Sequence, residues 1–326
     1  MANIFDRLRI DAYRIPQVGN IHAHSPDIAS VAVRVAAASY AFTSDLIPSP
    51  EETAQNSRDI PFKSLRRLLA MGQGKSVREW YGPEGGGDSF SISVVGGAAY
   101  GVLLNDIIFV GFRGTSNVAD WAINLFGTGR TGPLKIPLET EYYARKSHHL
   151  MDSSSDRNDA RVHAGFYRVA QALRQPLYDE IHKLEQVYRE RHGNSNNSVI
   201  LTGHSLGGAL ALLSGLRISH QAVYTYGMPR VCDGSLIAEL PACHYRYVLE
   251  GDPVPSLPPE SFGFRHDMPC LALDPYRGLQ KPGLFAKALR GIRAGKSISG
   301  SMGAAAKAMI ASEHDMELYV DTVMEQ

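Results

Sequence analysis

The sequence predicts an α/β fold, a mostly parallel central sheet with helices on both faces. Short β-branched and aromatic runs alternate along the second half of the chain with longer stretches of helical periodicity, which is the pattern of a wound sheet rather than a bundle or sandwich. One such run, Val199-Ile200-Leu201, passes through GHSLGG (203–208) straight into Ala209-Leu210-Ala211-Leu212-Leu213, reading as strand, tight turn and helix. The length of 326 residues suits one α/β domain and can bury a large core.

Asp27 to Phe42 has apolar residues at helical spacing behind Ser25-Pro26, a helix start with proline in an early position. WYGPEGGGD (80–88) is a turn-rich connector. Ser91 to Val95 and Ala98 to Leu104 read as strands, and Asn105-Asp106 turns the chain into the buried run Ile107 to Val110. Phe166 to Arg191 reads as a long helix kinked near Pro176, with NSNNS (194–198) as its polar exit. Beyond the turn at Ser205 come a strand at Val223 to Tyr226, a short helix near Leu236 to Leu240, a strand at His244 to Leu249 and another around Cys270 to Leu273. There is no internal repeat, and a single domain spanning 1–326 is expected, with 1–26 as an N-terminal arm.

Lys+Arg and Asp+Glu both number 33, so the formal charge is zero and the balance argues against nucleic acid or a strongly anionic partner. Cys232, Cys243 and Cys270 lack zinc or redox spacing and are too few for a disulfide framework. The opening stretch MANIFDRLRIDAYRIPQ carries scattered charges without an apolar core, so it is not read as a secretory signal. A cytoplasmic location is the expectation, with secretion left open. Gly74-Lys75-Ser76 ends like a phosphate-binding loop, but the position five before Gly74 is Leu69 and no strand leads in, so the pattern fails.

A bare G-x-S-x-G arises by chance in roughly one chain in ten of this length, so its flanks decide how it is read. A β-branched run enters it, glycines at 203 and 207 remove side chains where strand and helix approach, and an alanine–leucine helix leaves it. That is a nucleophile elbow, in which the turn lifts Ser205 Oγ above the sheet and the Leu206 N–H faces a developing oxyanion. The bland alternative is a phosphate-cradling or merely tight strand-to-helix turn. A serine needs a base held by a carboxylate, expected downstream in the order Ser, Asp or Glu, His. Asp252 directly follows the strand His244 to Leu249, at the carboxyl edge of the sheet. Asp233 also follows a strand but stands where a helix cap is expected. His266 and His314 compete as the base, and strand order favours His314, which lies beyond the last strand. His204 is read as a packing or hydrogen-bonding residue, and His163 and His244 as structural histidines.

Six blocks then occur in order: VGFRGTSNVADWAINL (110–125), VHAGF (162–166), VILTGHSLGGALA (199–211), TYGMPRV (225–231), GDPVPSLPPESFGFRH (251–266) and the terminal HDMELYV. Together they resemble the class 3 lipases, a triacylglycerol lipase-like branch of the α/β-hydrolases, over roughly residues 100–320. The resemblance implies a serine carboxylic-ester hydrolase with Ser205 as nucleophile, Asp252 as triad acid and His314 as base, and it puts His266 in a non-catalytic block. It also implies that Thr115 joins Leu206 in the oxyanion hole, that lipid or small esters are the substrates, and that neither metal nor cofactor is needed. A phospholipase A1 or a short-chain or feruloyl-type esterase would use the same residues, and a catalytically silent lipid-binding protein is the reading from another class.

Residues 117–126 put Val118, Trp121, Ala122, Leu125 and Phe126 on one helical face. In the family this is the lid position, where such a stripe would meet acyl chains at a lipid–water interface; the other reading is core. The segment 279–311, between Asp252 and His314, mixes lysines and arginines with apolar residues and is longer than the family pattern. It is read as an insertion that lies on a membrane surface, caps the pocket or is solvated. The family's secreted members often carry disulfides, which the cysteine-free N-terminal half departs from. The sequence says nothing of oligomeric state.

Overall fold

The computed structural model describes residues 24–42, 88–115, 134–137, 159–233, 243–266, 268–274 and 314–325. Helix α1 (Pro26–Phe42) is followed by β1 (Ser89–Val94), β2 (Gly97–Leu104) and β3 (Ile107–Phe112). Strands β4 (Leu134–Pro137) and β5 (Asp159–Val162) form a separate antiparallel pair. Helix α2 (Ala164–His192), β6 (Ser198–His204), α3 (Leu206–Gly215), β7 (Ala222–Tyr226), β8 (His244–Leu249), β9 (Cys270–Leu273) and α4 (Met316–Met324) complete the order.

The main sheet has seven strands in the order β1-β2-β3-β6-β7-β8-β9. Its first two pairings are antiparallel hairpins and the rest, from β3–β6 to β8–β9, are parallel. The hairpin turns use left-handed residues, Gly96 at φ 83° and Asn105 at φ 55°, as tight turns between right-twisted strands require. Val95, read from sequence as strand, is 95 % exposed in the first of these turns, because Gly96 reverses the chain one residue earlier than the apolar pattern implies. The central strands β2, β3, β6 and β7 are buried along their whole length, which matches their continuous apolar runs.

Side-chain alternation places α1 and α3 on opposite faces. On β6, Thr202 Oγ1 donates to the Ala32 carbonyl of α1 at 3.1 Å and the His204 ring meets Tyr40 of α1, whereas Gly203 between them abuts Gly207 of α3. Tyr226 of β7 likewise donates to the Ala29 carbonyl at 2.7 Å. Helix α1 lies close to the sheet because Ala29, Ala32 and Ala36 have almost no side chain to interpose, and Ser25 opens it by accepting from the Ile28 N–H at 3.3 Å.

Helix α2 runs unbroken through Pro176 and buries Phe166, Ala170, Leu173, Leu177, Ile181, Leu184 and Tyr188, a stripe at three- and four-residue spacing. It ends on Gly193 at φ 69°, whose N–H returns to the Arg189 carbonyl at 2.8 Å. The helix expected near Leu236 to Leu240 lies outside the described residues.

Candidate active site

The carboxyl ends of β6, β7 and β8 carry the site. Strand β6 ends at His204, α3 begins at Leu206, and the single residue between them, Ser205, sits at φ 60°, ψ −129°. For a residue with a Cβ this is a strained conformation, costing on the order of 1–3 kcal/mol. Its N–H is held by the Tyr226 carbonyl of β7 at 2.9 Å. The turn closes only because its glycines have no side chains: a Cβ on Gly203 would overlap the Gly207 backbone, and one on Gly207 the Phe112 carbonyl.

Asp252 stands on the turn after β8, 2 % exposed. Its N–H returns to the Leu249 carbonyl at 3.1 Å, and its Oδ1 accepts from the Val254 N–H at 2.9 Å, which fixes the carboxylate plane. Oδ2 accepts from His314 Nδ1 and from the Tyr319 hydroxyl, each at 2.6 Å. His314 is fully buried and immediately precedes α4, whose first turn is capped by Asp315 accepting from the Glu317 N–H at 2.9 Å. The base candidate is therefore anchored by a helix start. His266, its competitor, engages the Pro255 carbonyl at 2.7 Å and so braces the loop that carries Asp252.

With Nδ1 committed to Asp252, the remaining ring nitrogen of His314, Nε2, is buried without a hydrogen-bond partner among the described residues, and so is Ser205 Oγ. Unpaired buried polar atoms are uncommon, and where they occur they call for a physical explanation. His204, which precedes Ser205, and Gly227 both lie against the His314 ring. His204 stacks on it with centroids 4.4 Å apart, and a Cβ on Gly227, which follows β7 at φ 59°, would fall 2.7 Å from its Cε1. His314 is thus an imidazole oriented by a carboxylate, in contact with the residue that precedes Ser205.

Thr115 and Leu206 line one cleft of about 420 Å³, whose wall continues through Gly97, His163, Phe166 and Val169. His163 also caps α2, its Nδ1 accepting from the Phe166 N–H at 3.4 Å, and burial pushes its pKa down to about 4. Burial, with His314 beside it, holds His204 well below the ordinary histidine value. The phenol of Tyr319 is pushed well up by burial and by the Asp252 carboxylate, so it remains a donor. Val118, Trp121, Leu125 and Phe126, like the whole of 279–311, lie outside the described residues.

Sequence reasoning did not single out Tyr319 or Tyr40, whose hydroxyl lies 3.1 Å from His204 Nδ1. A tyrosine on the apolar face of a helix reads as core. The partners of these two are 67 and 164 residues away.

Residues 109–262 match the family model described as lipase (class 3). That stretch, just under half of the chain, is the part that is similar to the class 3 lipase family. It contains Thr115, Ser205, Leu206 and Asp252, whereas Tyr40 and the His314–Tyr319 segment lie beyond it on either side. Among relatives, secreted mono- and diacylglycerol lipase 1 of Fusarium solani is 38% identical over 88 residues, 25% of this chain and 26% of that one. The lipase of Rhizomucor miehei is 30% identical over 171 residues, 49% of this chain and 39% of that one. Phospholipase A1 EG1, chloroplastic/mitochondrial, of Oryza sativa subsp. indica is 30% identical over 174 residues, 46% of this chain and 36% of that one. The chain thus spans well under half the length of each of these relatives.

Proposed function

We propose that the chain is a serine carboxylic-ester hydrolase acting on lipid esters, of the triacylglycerol lipase type. The observation that carries this reading is the pair of buried, unpartnered atoms, Ser205 Oγ on a strained elbow and Nε2 of a histidine whose other nitrogen is bonded to Asp252. His314 takes the Ser205 proton as Oγ attacks the ester carbonyl, while Asp252 holds the imidazole in its working tautomer and stabilises the imidazolium. The oxyanion is met by the N–H groups of Thr115 and Leu206, roughly 3 kcal/mol per donor. His314 returns the proton to the departing alcohol, and water then cleaves the acyl-enzyme by the reverse route. The apolar stripe Val118, Trp121, Leu125 and Phe126 belongs to the proposal as the surface that meets acyl chains.

A phospholipase A1 is the second reading, favoured by the name of the rice relative. For location, the name of the Fusarium solani relative describes a secreted lipase, which gives no support to a cytoplasmic site and leaves secretion open. None of Cys232, Cys243 and Cys270 is in a disulfide.

The test is hydrolysis of nitrophenyl esters from acetyl to palmitoyl, of emulsified triglyceride and of phosphatidylcholine vesicles, comparing wild type with Ser205→Ala. Long-chain activity that rises above the solubility limit and vanishes in the variant is the expected result. Preference for the vesicles supports the second reading, and confinement to short soluble esters indicates an esterase. A Ser205→Ala protein as active as wild type overturns the assignment of the nucleophile.

A further inference from the structure

Helix α1 lies outside the matched span, yet near its end Tyr40, 1 % exposed, reaches into the site. Its phenol oxygen is 3.1 Å from His204 Nδ1. The same oxygen occupies the space over Gly114, where an added Cβ would overlap it. Gly114 immediately precedes Thr115, and His204 immediately precedes Ser205. The His204 ring in turn lies against the His314 ring, with centroids 4.4 Å apart and planes at 27°. One hydroxyl therefore adjoins the residue before the oxyanion threonine, the residue before the nucleophile and, through a stacked ring, the base.

The chemistry of these groups gives the contacts a direction. The buried Tyr40 phenol has its pKa pushed up by desolvation and stays a donor, so His204 Nδ1 accepts and the His204 proton sits on Nε2. A neutral imidazole face can lie against a ring that becomes imidazolium during catalysis without adding like charge, which a protonated His204 would do. Helix α1 is held for this task by its carbonyls at Ala29 and Ala32, which accept from Tyr226 and Thr202 of the sheet.

We propose that Tyr40 is a positioning residue for the reaction: its hydroxyl fixes the tautomer and tilt of His204, which backs the His314 ring, and it seats the Gly114 backbone that presents Thr115. The proposal rests on the hydrolase reading above.

The test uses the full chain, an ester that wild type hydrolyses, and active-site titration with a fluorophosphonate so that rates are per competent site. Tyr40→Phe leaves His204 Nδ1 buried without a partner and frees the ring. The expected result is a fall in kcat of about tenfold, with KM within about twofold and the thermal midpoint within a few degrees. Adding His204→Phe keeps a flat ring against His314 and removes the stranded nitrogen, so the double variant recovers to within about threefold of wild-type kcat. A merely structural role predicts two additive losses that follow the thermal midpoint. The double variant buries neither stranded atom, so it decides the matter even where Tyr40→Phe is too unstable to assay.

Wild-type kcat in Tyr40→Phe, or no recovery in the double variant, overturns the role of Tyr40 while Ser205→Ala remains inactive. A wild-type protein that cleaves no ester and resists the fluorophosphonate overturns the hydrolase reading itself, and the role of Tyr40 with it.

Discussion

The Tyr319 hydroxyl donates to Asp252 Oδ2 at 2.6 Å, the same oxygen that accepts from His314 Nδ1, and itself accepts from the Leu249 N–H at 3.1 Å. The carboxylate is thereby tied at once to the helix after His314 and to the end of the strand that precedes it. Tyr319→Phe strands the Leu249 N–H and frees one lone pair of Asp252. It should cost about 1–3 kcal/mol of stability, as a buried donor without an acceptor does, read from the urea midpoint. Turnover should fall as the carboxylate loses one of its two side-chain restraints, and unchanged turnover with lowered stability would reduce Tyr319 to a structural strut.

Ser205 stores strain that a glycine would not. Its φ of 60° and ψ of −129° lie where only glycine is comfortable. Ser205→Gly should therefore be inactive yet more stable than Ser205→Ala by about 1–3 kcal/mol. Equal denaturation midpoints for the two variants would show that the elbow relaxes without cost.

Gly227 holds open the space beside Asp252 and His314. With φ 59°, a Cβ there would stand 2.7 Å from His314 Cε1 and 2.8 Å from Asp252 Oδ2. Gly227→Ala should lower kcat by up to about a hundredfold, the scale of an ångström-level misplacement of a reacting group. Its circular dichroism should match wild type, and near-normal kcat would mean that the pair shifts freely.

His163 gives stability a pH dependence of defined sign. Burial lowers its folded pKa from 6.5 to about 4, so the unfolded chain takes up the proton first. Stability is then full above about 6.5, declines as pH falls, and loses no more from this group once pH passes below about 4. His163→Asn keeps an acceptor for the Phe166 N–H and should flatten that part of the curve of denaturation midpoint against pH. A slope unaltered by the substitution would assign the acid sensitivity to other groups.

The legible parts of this molecule were those whose cause is local. The turn at Ser205 is written in two glycines between a β-branched run and an alanine–leucine run, and the sheet in buried runs such as Ile107 to Phe112. The pairing of Asp252 with His314 required the order of strands, because 62 residues separate them. Tyr40 and Tyr319 were illegible because their hydroxyls act across 164 and 67 residues, from helix positions that read as part of an apolar face. His163 escaped notice as a helix cap because histidine is not among the residues that usually do that work, and only its ring facing the Phe166 N–H reveals it.

Helices α1 and α4 pack against each other although one opens the described chain and the other closes it. A ribosome completes the elbow and the carboxylate turn well before it emits His314, so the growing chain carries Ser205 and Asp252 before the proposed base exists. On the hydrolase reading proposed above, the base joins the nucleophile only when α4 docks beside α1, so the order of synthesis holds back the assembly of the site.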